Sequence, residues 1–344
     1  MPRLVSALML LAVPLAAQTA EEQHSPIPGL LQAVSPVSDQ VVWVSGHRAA
    51  VLRTTDGGTT WLPRTVVTGT DTTLQFRDVH AISADEAWVM SAGNGPDSRI
   101  YHTRDGGAHW TLQFQNADSA AFFDCMTFFN ARTGVAFSDA SHGRSNVLRT
   151  TDGGMTWALL PPNAVPAPLD GEGAFAASGG CLTSVDGRHG WVALGAPGAR
   201  IWRTTDAGAT WTSHVTPLVR SASAGGAAAA FRDPMHGIVV GGDMGDYRND
   251  ASTAAVATTS DGGVTWKLGA RPVLKGTPFG VTWVPALPET ALLASPGGLS
   301  LTRDSGQTWT TAAEGVFWSV GASGHTAWAV GALGRDGRIL RLSF

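Results

Sequence analysis

The chain has 344 residues, 43% of them hydrophobic and 15% charged, with a formal net charge of −4. That is enough apolar material for one large core or two ordinary ones, and the weak acidity gives no electrostatic reason to expect a nucleic acid or an anionic membrane as partner. With 42 Gly, 19 Pro and 13 Trp, the composition excludes a disordered chain and disfavours a helical one, pointing to a turn-rich β protein.

The first residues, MPRLVSALMLLAVPLAAQTA, carry one charge at Arg3, an apolar run from Leu4 to Leu15 and small residues at Ala16 and Ala17. This is the layout of a secretory leader with cleavage after Ala17, so residues 1–17 are expected to be a signal peptide and 18–344 a single exported domain, periplasmic or extracellular. The apolar run is shorter than the roughly 20 residues a membrane helix needs, and no transmembrane segment is expected. No Cys follows the run, so a lipid anchor is not expected either.

Further along, one turn recurs: TTDGGTTW at 54–61, TRDGGAHW at 103–110, TTDGGMTW at 150–157, TTDAGATW at 204–211, TSDGGVTW at 259–266 and TRDSGQTW at 302–309. The aspartates Asp56, Asp105, Asp152, Asp206, Asp261 and Asp304 are 49, 47, 54, 55 and 43 residues apart. A period near 50 filled with short β-rich runs predicts the four-stranded blades of a propeller. In the second unit the strands fall at 79–83, 87–91, 99–103 and from Trp110 onward.

The units number seven although the turns number six, because the last segment, FWSVGASGHTAWAVGALGRDGRILRLSF, contains only three strands. An open edge would be left there, so residues 21–27, just ahead of the first inner strand at 30–34, are expected to supply the missing outer strand. Pro26 and Pro28 are tolerable on an outermost strand.

The Asp-Gly pair provides the positive φ of a tight hairpin, and its carboxylate can accept from the turn's own amides. Trp61, Trp110, Trp157, Trp211, Trp266 and Trp309 are large enough to cover the turn and wedge against a neighbouring blade. One carboxylate per turn falls short of the ligand set calcium takes, so the role read here is structural, and neither a metal nor a cofactor is expected. Strands that alternate up and down place all six turns on one face of the disc and the long insertions on the other, where function is expected.

These S/T-x-D-x-G-x-x-W turns resemble the Asp-box, or BNR, repeats of sialidases and related propellers. The whole unit, a GWxxG strand followed by a loop and an apolar strand entering TTDGGxTW, is more similar to the photosystem II assembly and stability factor family and its exported relatives. That resemblance implies a seven-bladed propeller that holds a partner during assembly. The family uses a basic patch, for which this chain offers on its rim Arg77, Arg144, Arg200 and Arg248.

Three insertions on the open face carry the candidate residues. They are the third unit's FFD and SDASHGRSN, with Asp124, Asp139, His142 and Arg144; the segment 161–180, with Asp170 and Glu172; and GGDMGDYRNDAS, with Asp243, Asp246, Tyr247, Arg248, Asn249 and Asp250. Phe122, Phe123 and Phe175 are expected to ring the patch. Tyr and Arg together at a loop tip suit a recognition surface. A hydrolase reading would make Tyr247 the nucleophile, Glu172 its base and Asp243 the acid, as in sialidases, but the Arg-Ile-Pro motif of that family is missing and Arg53 sits on a strand entering an Asp-box.

The two cysteines, Cys125 and Cys181, occupy the same position in consecutive units and so should point the same way round the ring; buried free thiols are the expectation and a disulfide the alternative, while His102 and His109 are expected at the surface. The reading is therefore a monomeric, exported, non-catalytic propeller that binds an envelope protein. The alternative is a glycan binder or glycoside hydrolase using the same rim.

Overall fold

In the computed structural model, which describes residues 18–66 and 73–344, seven four-stranded antiparallel sheets form the predicted propeller. The expected leader, residues 1–17, lies outside the described residues. Blades 1–7 begin with inner strands Leu31–Pro36, Phe76–Ala81, Phe123–Phe128, Leu182–Val185, Ala224–Phe231, Gly280–Trp283 and Phe317–Ser323. No helix among the described residues is long and apolar enough to cross a membrane.

The chain closes the ring as predicted. Thr19–Pro28 pairs antiparallel with Asp336–Ser343 as the outer strand of blade 7, with Thr19 opposite Ser343 and Gln23 opposite Ile339. The fourth strands elsewhere blunt the exposed edges: those of blades 1 and 5 are only two residues long, Leu62–Pro63 and Lys267–Leu268.

Second strands such as Val42–Gly46 and Ala87–Ser91 are buried along their whole length, because sheets pack against both of their faces. Trp43, Trp88, Trp191 and Trp328 on these strands are among the largest fully buried side chains. Trp191 stacks on Phe231 of the next blade at 3.5 Å and Trp88 on Phe128 at 3.9 Å. The glycine that precedes the blade 5 counterpart, Gly237, makes room: a Cβ there would come within 2.5 Å of the Phe231 ring.

All six Asp-box turns have the same construction. A Thr hydroxyl donates to the Asp carboxylate, as Thr54 does to Asp56 at 2.7 Å, and the same carboxylate oxygen accepts the amide four residues on, Thr60 N at 2.9 Å. The pattern repeats from Thr103, Thr150, Thr204, Thr259 and Thr302. These bonds favour the carboxylate form, and the Asp152 carboxyl, which accepts first from the Thr156 hydroxyl and then from its amide, is held down at about 2.

The turns also join blades. Trp191 of blade 4 donates its Nε1–H to Gly262 O in the blade 5 turn at 2.8 Å, and Trp110 donates to Arg64 O of blade 1 at 2.9 Å.

Two expectations need correction. Cys125 and Cys181 form a disulfide with their Cα atoms 6.1 Å apart. Sequence-equivalent residues were expected to point the same way round the ring, but on inner strands the neighbouring blades approach so closely that equivalent positions become contacts. His102 is also not at the surface. It is buried, stacked on Trp88 at 4.4 Å, with its Nε2 3.0 Å from Glu86 Oε1. His109 is exposed as expected.

Candidate binding site

Five inner strands carry a register shift at the same place, and each leaves one residue without a cross-strand partner: Gln32, Arg77, Asp124, Ala227 and Trp318. A bulge re-aims the side chain of its extra residue. Here four of the five, Gln32, Arg77, Asp124 and Trp318, line a single cavity of about 450 Å³. The bulges lie near the start of each inner strand, whereas the Asp-boxes follow the end of each third strand. With strands alternating in direction, the cavity opens on the face opposite the Asp-boxes.

The floor is made by the insertion between blades 3 and 4. Its Ala174–Ala177 stretch lines the cavity and is hydrogen-bonded to distant blades. Gln32 Nε2 of blade 1 donates to Ala177 O at 2.9 Å, and Arg77 Nη1 of blade 2 to Ala176 O at 3.3 Å. Ser178 Oγ donates to Phe279 O, and Ser319 Oγ of blade 7 to Ser178 O at 3.1 Å. The segment thus crosses the axis, and these bonds tie it to both halves of the ring.

Two carboxyls meet at the edge of this floor. Burial pushes the Asp124 carboxyl well above the usual carboxylate range, and the neighbouring Asp139 charge adds to that. Burial also raises Asp139 to about 6, against the opposing hydrogen bonds from the Asp124 carboxyl and Ala174 N. Arg77 provides the opposite charge beside Asp124, while its Nε and Nη2 donate to Gln75 Oε1 at 3.1 and 2.6 Å. Burial first, and then Arg77, lowers the His47 pKa at the same wall.

Of the residues anticipated from sequence, Asp124 and Asp139 enter this cavity with Phe122 and Phe175. Phe123 does not; it is 4% exposed and packs in the core against Phe114. His142 sits at an exposed hairpin tip, its Nε2 3.1 Å from Asp118 Oδ2, and Arg144 donates to Asn146 Oδ1 at 3.1 Å. Both lie off the cavity wall.

Glu172 is 3% exposed and committed to its own loop. It is paired with Arg200, whose Nε donates to Oε1 at 2.6 Å, and its Oε2 accepts Leu169 N at 3.1 Å. Asp243 Oδ1 accepts Ser223 Oγ at 2.7 Å and Gly245 N at 2.8 Å, and Asp246 Oδ1 accepts Asn249 Nδ2 at 3.0 Å, so both organise their loop. Tyr247 turns inward toward Phe279 and Trp318, ring centroids 5.6 and 6.0 Å away, with the Arg248 guanidinium over its outer face at 5.0 Å. The trio of Tyr247, Glu172 and Asp243 is not joined by hydrogen bonds, each member being held by other partners.

Sequence reasoning missed Gln32, His47, Met244 and Trp318, and it treated Arg77 only as a rim cation. The available signal was positional. Aligning the units on their second strands brings Gln32, Arg77 and Asp124 to one column of the inner strands, and Trp318 joins it once a one-residue gap is allowed in the shorter hairpin of blade 7.

Seven blades, six of them bearing an Asp-box turn and the seventh closed by the N-terminal strand, with a floored cavity on the axis, define an Asp-box seven-bladed propeller. The chain is such a propeller and resembles the photosystem II assembly factor family. The family model for the photosynthesis system II assembly factor YCF48 matches residues 16–117, the closing strand and the first two blades. The photosystem II assembly lipoprotein Ycf48 of Synechococcus sp. (strain CC9902) is 23% identical over 158 residues, which is 46% of this chain and 44% of that protein, so the match spans less than half of either.

Among solved structures, YCF48 bound to a D1 peptide superposes over 97% of this chain and 99% of its own, with TM-score 0.67 and 17% identity. YCF48 from Cyanidioschyzon merolae covers 94% and 98%, with TM-score 0.66 and 17% identity. The GH74 enzyme of Niastella koreensis covers 91% of this chain but 52% of its own, with TM-score 0.65 and 15% identity. At these identities the likeness is one of fold.

Proposed function

We propose that this protein is an exported, monomeric, non-catalytic scaffold that binds another protein of the cell envelope during its assembly, using the cavity-bearing face. The observation that carries this reading is the fate of the hydrolase trio. Glu172 is paired with Arg200, Asp243 caps a turn, and Tyr247 lies tilted against Phe279 and Trp318, so within the trio no carboxylate is positioned to activate Tyr247 as a nucleophile. The two carboxyls that converge at the cavity, Asp124 and Asp139, are within hydrogen-bonding reach of each other. Glycosidases keep their two carboxyls roughly 5–9.5 Å apart, with the sugar or a water between them.

Half-buried aromatic rings on the same face suit a protein surface, since such residues bring contact area at small entropic cost. A solved relative bound to a peptide, YCF48 with a D1 peptide, supports the same mode.

Affinity capture of the tagged protein from its own envelope, read by mass spectrometry, tests the proposal. A protein retained by wild type and lost with Tyr247→Ala plus Arg248→Ala is the expected result. Capture that is indifferent to the loop, together with hydrolysis or binding on a glycan panel, would overturn it in favour of a carbohydrate-active propeller.

A further inference from the structure

We propose that the axial cavity is a receptor for a lysine side chain of the partner protein, which displaces a proton shared by Asp124 and Asp139. This rests on the reading of the cavity-bearing face as a protein-binding surface and names the chemistry of what enters it.

The inference starts from two acceptors that lack a donor. Gln32 is 2% exposed, and its amide NH₂ faces the Ala176 and Ala177 carbonyls, which fixes Oε1 on the other side, without a hydrogen-bond partner. Asp124 is 1% exposed and its Oδ2 is also unpartnered. Both residues line the cavity from different blades. Buried acceptors left unsatisfied are costly, and a ligand that brings donors relieves them.

Charge decides which donor. The cavity wall holds two carboxyls, Asp124 and Asp139, and one permanent cation, Arg77, each of whose three guanidinium nitrogens already donates one hydrogen bond, to Gln75 or Ala176. His47 is the remaining titratable group on the wall, and burial and then Arg77 lower its pKa, which favours the neutral ring. Asp78, on the strand that bears Arg77, keeps to the buried side, where its Oδ2 accepts Met126 N. Two carboxylates against one guanidinium leave one negative charge over, which a shared proton cancels when the cavity is empty. An incoming ammonium supplies the same single positive charge, and the proton leaves to solvent.

Shape favours lysine over arginine. An ammonium is a compact charge with three rotatable donors, suited to acceptors that converge from separate strands, whereas a guanidinium demands a coplanar pair. The four-carbon stem would lie along Phe122, Phe175 and Trp318, each half-buried on the wall.

The test uses the whole exported protein and short fluorescent peptides, acetylated and amidated at their ends, with a neutral background and one central lysine, Nε-acetyl-lysine or glutamate. Fluorescence anisotropy is expected to give the lysine peptide at least about tenfold tighter binding than the acetylated one, the scale of one charge-assisted contact. Its affinity should rise by up to about tenfold per pH unit between roughly pH 5 and 7, because one proton is released. Asp124→Asn should abolish both the preference and the pH slope. Phe175→Ala, which changes no charge, should weaken binding and keep the slope, so a folding defect in the first variant would not leave the idea untested.

Equal binding of lysine and acetyl-lysine peptides, or preference for glutamate, would overturn the inference. Loop-dependent capture of a partner alongside equal peptide binding would sink the lysine receptor and leave the scaffold standing. A lysine preference with no loop-dependent capture would do the reverse.

Discussion

Two positions recur round this ring, one in six blades and the other in five, and they behave oppositely. At the Asp-box turn the residue types repeat: Thr, Asp, Gly and Trp return in six blades, because a left-handed backbone, a carboxylate cap and a wedge between blades are needed each time. At the inner-strand bulge the backbone geometry repeats while the residue changes, through Gln32, Arg77, Asp124, Ala227 and Trp318. Where the backbone sets the requirement the side chain is constant; where the side chain faces the axial cavity it is free to differ. The turn builds the scaffold and the bulge individualises it.

The comparison is broken most severely on the scaffold side. Trp211 is 6% exposed in the core between blades 3 and 4, so Trp211→Ala should lower unfolding free energy by about 3–5 kcal/mol in denaturant titration. A loss near zero would mean that the Asp-box Trp is not a wedge. Glu172→Ala comes next. It strands Arg200, which is 15% exposed, and should cost about 2–4 kcal/mol, a little below the loss for a fully buried pair. A stable Glu172→Ala protein that loses a hydrolytic activity would restore the enzyme reading.

A pH-dependent effect sharpens the bulge side. Burial pushes the Asp78 carboxyl, next to Arg77, up to about 8, although Met126 N and Val79 N donate to it. The unfolded chain ionises this group near pH 4 and the folded one only near 8. Between them the folded state holds the extra proton, and wild-type stability falls as pH rises through that window. Asp78→Asn should therefore gain on wild type steadily from about pH 4 to 8 in thermal melts. A difference independent of pH would show that the carboxyl is ionised in the fold.

The legibility of the sequence follows the same division. The blade number, the outer strand given by the N-terminus and the bonding within the Asp-boxes could all be read, because each is set by local spacing and turn chemistry. The disulfide could not, since Cys125 and Cys181 meet only through the close approach of neighbouring inner strands.

The candidate site was half legible. Asp124, Asp139, Phe122 and Phe175 were anticipated because they border insertions. Gln32 and Trp318 sit inside strands, and nothing local signals a bulge that re-aims a side chain. Glu172 and Asp243 could be cast as a reacting pair in the hydrolase alternative because sequence shows a carboxylate but not the Arg200 or Ser223 that bonds to it.

The central claim, that the cavity face and not the Asp-box face meets a protein partner, is tested most directly by site-specific photocrosslinking in the native envelope. One crosslinker replaces Phe175 on the cavity wall, and another replaces Met155, which is 67% exposed on an Asp-box turn. A discrete protein adduct from position 175 and none from 155 is the predicted result. Adducts from 155 alone, or from neither position, would contradict it.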